Sequence, residues 1–122
     1  MDIEDIQNIC KAFPGVTEDI KWENHLCFNV GGKMFLITSP DEVPVTASFK
    51  ASEETFDELI NIEGFKPAPY LARNKWVHVD NISRLGKKDW QKYLQEAYDL
   101  IHSKLPAKVK KEIEAKASKK KK

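Results

Sequence analysis

Between Lys87 and Lys104 apolar side chains recur at Trp90, Tyr93, Leu94, Ala97, Leu100 and Ile101. Those spacings gather them along one side of an α-helix. A stripe of that length has to be buried, and a chain of 122 residues must supply the surface that buries it. Segments around 20–23, 25–30 and 33–39 are rich in aromatic and branched residues. Gly31-Gly32 between the last two makes a two-residue hairpin turn that tolerates positive φ. "VPVTASFK" then alternates Val43, Val45, Ala47 and Phe49 to one side of a fourth strand, with Pro44 suited to an edge or a strand start.

Shorter helices flank these strands. Residues 2–13 predict one, with Ile3, Ile6, Cys10 and Phe13 in phase, Asp2 as its cap and Pro14-Gly15 as its stop. Ser52 caps a second that carries Phe56, Leu59 and Ile60 and ends before Gly64. Pro67 and Pro69 forbid helix, and residues 75–80 read as a strand with Trp76 and His78 on one face and Val77 and Val79 on the other. Pro106 opens a last short helix packed through Val109 and Ile113, and residues 118–122 are too charged to fold. The order is helix, three or four strands, helix, one or two strands, long helix, short helix. Helices on one face of a mostly antiparallel sheet make a two-layer α+β sandwich. A single domain is expected over 1–113, followed by a basic, disordered tail at 114–122.

The net charge of +1 conceals an asymmetry. From 104 to 122 nine lysines stand against two glutamates, giving +7, whereas residues 1–103 hold eleven basic and seventeen acidic side chains, giving −6. No apolar run approaches the ~20 residues of a membrane span, and "MDIEDIQNIC" is acidic where a secretory signal is basic. A cytoplasmic protein is expected, as a monomer. Cys10 and Cys27 form neither a disulfide framework nor a CxxC pair, and read as buried thiols.

Catalytic signatures are lacking. His25, His78 and His102 fall in three elements with no HxxxH or CxxC spacing, so neither a metal site nor a cofactor is expected. A nucleophile elbow, a phosphate-cradling loop and a dinucleotide fingerprint are all missing, and the glycines of "VGGK" are explained by the hairpin. A noncatalytic protein is expected. The candidate binding segment is "PAPYLARNKWVHV", residues 67–79, where Tyr70, Arg73, Asn74, Lys75 and Trp76 offer aromatic faces, cations and an amide. These suit stacking on bases or gripping phosphates; they equally suit a polar turn beside core aromatics. Lys87 and Lys88 read either as a secondary anion site, because cations in a helix's first turn oppose its dipole by roughly 0.3–1 kcal/mol each and a bound anion would offset that, or as surface lysines without consequence. The lysine tail is either a salt-sensitive attractor of phosphates or a solubilising end.

Five stretches in order, "FPGVTEDIKW" (13–22), "VGGKMFLI" (30–37), "FKASEETFDELI" (49–60), "YLARNKWVHV" (70–79) and "YDLIHSKLP" (98–106), resemble the MmcQ/YjbR family of small bacterial proteins. The resemblance covers about residues 2–113. It implies a two-layer fold like that of the CyaY group and of secretion chaperones, and a cytoplasmic DNA-binding protein acting through a double-wing arrangement of hairpins, with no enzymatic activity. The family pattern falls on Gly15, Asp19, Gly32, Lys33, Phe35, Lys50, Tyr70, Asn74, Lys75, Trp76, Tyr98 and Leu105. Val77 and Ala97 depart from it: the family commonly has a polar residue and a Ser there.

These readings combine into a DNA-binding module in which Lys33, Lys50, Arg73 and Lys75 contact phosphates and Tyr70 or Trp76 stacks or wedges. The acidic body opposes that reading unless the cations converge on one patch. A chaperone-like protein-interaction module using a sheet edge is the alternative, and a small-molecule pocket between the sheet and the 87–104 helix is a third reading.

Overall fold

In the computed structural model, which describes residues 2–21, 24–68 and 74–120, the Asp2 carboxylate accepts the Asp5 N–H at 3.0 Å and the Asp5 carboxylate accepts the Asp2 N–H at 3.0 Å. This reciprocal box starts α1 (Ile3–Lys11). The chain continues through β1 (Val16–Lys21), β2 (His25–Val30), β3 (Lys33–Ser39) and β4 (Thr46–Lys50) to α2 (Glu53–Leu59). Then come β5 (Phe65–Pro67), β6 (Trp76–Val79), a 3-10 turn (Ile82–Arg84), α3 (Lys87–Ser103) and α4 (Ala107–Lys120). The six strands form one sheet in the order β1-β2-β3-β4-β6-β5, and every pairing is antiparallel.

Phe28, Leu36, Phe49 and Val77 are successive cross-strand partners, so they share a face, and all four are fully buried. The long helix α3 covers them. Trp90 meets Phe49 edge-on with ring centroids 5.6 Å apart, and Tyr93 stacks on Phe49 at 6.0 Å. A shift in register after Phe28 leaves Phe35 as an extra residue on β3, and its ring packs edge-on to Tyr98 at 5.9 Å. The buried indole of Trp90 is satisfied by donating to the Ile82 carbonyl at 2.8 Å. Tyr98 donates to the Pro14 carbonyl at 2.6 Å, tying α3 to the end of α1. Glu96 accepts the Ser52 N–H at 2.8 Å and the Thr55 hydroxyl at 3.0 Å, tying α3 to the start of α2. The opposite face carries the row Asp19, Cys27, Ile37, Ser48, His78 and Lys66, of which Cys27 alone is buried. The two-layer α+β arrangement thus holds.

The sequence misplaces the edges of the sheet. β1 begins at Val16, not near residue 20, because an edge strand exposed from Thr17 to Ile20 has no need of apolar alternation. Residues 22 and 23, the rest of that expected strand, lie outside the described residues. β4 starts at Thr46, and Val43 ahead of it is 98% exposed. The short β5 is tolerated with Pro67 at its end because it too is an edge. Helical backbone runs to Lys120, into the stretch expected to be disordered, since Lys, Glu and Ala favour helix. None of the described helices is long and apolar enough to cross a membrane.

Gly31 and Gly32 have φ of +58° and +79°, as the two-residue hairpin requires. A Cβ on Gly31 would also lie 2.6 Å from Leu105 Cδ1, whereas nothing lies within 4 Å of one on Gly32. Both alanine substitutions incur the left-handed backbone cost of roughly 1–2 kcal/mol, and Gly31→Ala adds overpacking of about 1–3 kcal/mol. Gly31→Ala is therefore expected to lower the urea midpoint more than Gly32→Ala. Equal midpoints would show that the turn does not press on Leu105.

Candidate functional site

The glycine turn closes on the pair Val30 and Lys33, which sets the exposed Lys33 at the first position of β3. Lys50 ends β4 opposite Trp76, the first residue of β6, so both side chains leave the sheet on the same face. The Lys50 ammonium donates to the carbonyl of Asn74, and the Ala51 N–H donates to the Lys75 carbonyl at 3.0 Å. These bonds hold the entry to β6 against the end of β4. Lys104, the C-cap of α3, brings a further ammonium to the same corner.

Together these residues line a cleft of about 420 Å³, with Lys33, Lys50, Lys104 and Asn74 supplying polar groups and Met34, Trp76, Ile101 and Leu105 an apolar wall. No carboxylate is among the described lining residues. Lys50 is held below the ordinary lysine value, first by burial and then by the repulsion of Lys104 and Lys75. The cleft therefore holds uncompensated positive charge beside apolar surface, an arrangement that a bound anion relieves.

Of the residues singled out from sequence, Lys33, Lys50, Asn74 and Trp76 converge on this cleft. Trp76 is 5% exposed, so it forms a wall rather than the free stacking face expected of it. Lys75 diverges. It takes a left-handed φ of 63°, and its ammonium lies over the Phe56 ring at 4.9 Å, a cation–π contact with α2. Tyr70 and Arg73 lie outside the described residues. Lys87 lines a separate hollow with Asn8, Phe13 and Gln91, and Lys87 and Lys88 stand at the far end of α3, about 25 Å along the helix from Lys104. Lys87 and Lys88 thus stand apart from the cleft and do not extend it. Sequence reasoning missed Lys104 as a site residue and counted it only as tail charge; its signal was its position beside Leu105, which the family pattern marks.

The helix-free face carries two Ser–His pairs, Ser39–His25 and Ser48–His78, each with 2.9 Å between hydroxyl and Nδ1. No group of three or more potential metal ligands occurs among the described residues. His78 is held below its ordinary value of 6.5, first by burial and then by Lys66, against the opposing pull of Glu42 and Asp80. The unfolded chain then takes up the proton first, so this contribution to stability is full above about pH 6.5 and is lost as the pH falls below it. His78→Gln is expected to remove part of the loss in unfolding free energy between about pH 7.5 and about pH 5. The same loss in both proteins would contradict this role.

Comparison with known proteins agrees with the fold. A family model described as YjbR matches residues 11–100. A Deinococcus radiodurans protein with a DUF419 domain superposes with a TM-score of 0.81 at 22% identity, over 92% of this chain and 87% of that one. A Pseudomonas syringae protein superposes with a TM-score of 0.68 at 17% identity, over 83% of this chain and 99% of that one. At these identities the likeness is one of fold. No curated protein matches.

Proposed function

The chain belongs to the YjbR family, and from that premise we propose that it is a noncatalytic module that binds nucleic acid by seating backbone phosphates among Lys33, Lys50 and Lys104. One observation carries this reading: three ammonium groups from β3, β4 and the end of α3 share a cleft with no carboxylate among its described lining residues. Lysine suits the task as a compact point charge for phosphate. The −6 carried by residues 1–103 limits the contact to a local patch, since broad wrapping of a duplex neutralises many phosphates.

Anisotropy titration of labelled single-stranded and duplex DNA at about 50 and 200 mM salt tests the reading. Three phosphate contacts predict that log K for a single strand falls against log salt with a slope of about −2. Binding that ignores salt, or none to either DNA, would rule it out.

The protein-interaction reading draws support from β1, which pairs on one side only and exposes Ile20 by 60%. Glu18, Asp19 and Lys21 on the same strand are the charges by which edges commonly resist pairing, so the lysine cleft is the stronger site. Capture of a stoichiometric protein partner that survives both nuclease and Lys104→Glu would favour the edge.

A further inference from the structure

Resting on the nucleic-acid reading above, we infer that the cleft admits one unpaired nucleotide with its base turned inward, so that single strands and frayed ends are its ligands in preference to continuous duplex. The first argument is shape. The site is a concavity of about 420 Å³, within the ~300–1,000 Å³ span of pockets that enclose small ligands. A duplex presents a convex backbone and is read by elements that protrude into its grooves; the rod cannot enter a hollow of this size.

The second argument is chemistry. A surface that only grips phosphates needs no apolar wall, yet Met34, Trp76, Ile101 and Leu105 line the cleft beside the ammonium groups. A nucleotide carries both halves of that match, an anionic phosphate and a flat base with apolar faces. The carbonyl and amide of an Asn side chain pair with base edges, and Asn74 is exposed at the rim. Bases held in a duplex must first be unstacked and unpaired to enter, a cost that a single strand avoids.

The third argument is charge. Three lysines serve the three backbone phosphates nearest an inserted base, and the acidic remainder of the body disfavours further backbone contact.

The test uses the full chain, a fluorescein-labelled dT8 strand, a blunt duplex of mixed sequence, and dTMP and inorganic phosphate as competitors. The single strand is expected to bind at least tenfold more tightly than the duplex. dTMP should displace it at a concentration several times lower than inorganic phosphate needs, and Lys104→Glu should weaken dT8 at least fivefold while leaving the thermal midpoint nearly unchanged. Duplex binding as tight as dT8, or displacement by dTMP no better than by phosphate, overturns the inference while leaving the nucleic-acid reading standing. Failure of both DNAs to bind overturns both.

Discussion

Replacing Lys33 and Lys104 together by Glu is expected to weaken binding of a single-stranded oligonucleotide about a hundredfold. Hydrogen bonds to charged groups are worth about 1.5–3 kcal/mol each; removing two of them costs about 3 kcal/mol, and 1.4 kcal/mol is about tenfold. Both side chains are exposed, so the double variant should fold normally. The salt slope should fall in magnitude by about 1.4, which is 0.7 for each phosphate that is no longer neutralised. The matched control is Lys87→Glu with Lys88→Glu, at the opposite end of α3. It makes the same change in net charge and should leave affinity nearly untouched. An equal loss in both variants would mean that bulk charge, and not the cleft, governs binding.

Trp90→Ala is expected to cost about 3–5 kcal/mol of stability. The side chain is fully buried, meets Phe49 edge-on and donates its indole N–H to the Ile82 carbonyl. The substitution opens a cavity in the layer between α3 and the sheet and removes the hydrogen bond that the indole gives to the Ile82 carbonyl, which keeps only the Leu85 N–H at 3.5 Å. Domains of this size have roughly 5–15 kcal/mol in total, so a large fraction is lost. Urea unfolding should show a lower midpoint with an unchanged slope. A shift of less than about 1 kcal/mol would mean that α3 is not the main cover of the sheet.

The parts of the fold governed by one-sided burial were legible. The stripe from Trp90 to Ile101 is α3, Asp2 and Ser52 are the caps expected of them, and Gly31-Gly32 is the hairpin turn. The parts governed by edges were not. β1, exposed from Thr17 to Ile20, and β5, only three residues long, lie at the two borders of the sheet, where the backbone pairs on one side only, so no extended period-two pattern marks them.

The site was half legible for a related reason. Lys50 and Trp76 come together through register, which follows once the strands are paired in the right order. Lys104 reaches the same cleft only because α3 crosses the sheet and ends at that corner, a tertiary fact with no local signature. Lys75 misled in the other direction. It was read as a phosphate contact or as part of a polar turn, but Lys75 takes a positive φ, and its cation lies over Phe56.

Chemical-shift mapping of the backbone amides during titration with dT8 decides whether the lysine cleft is where the strand binds. The largest changes are expected at Lys33–Met34, Lys50, Asn74–Trp76 and Ile101–Leu105, with residues 87–88 and β1 nearly still. Changes concentrated along β1, or at the start of α3, would contradict binding in the cleft.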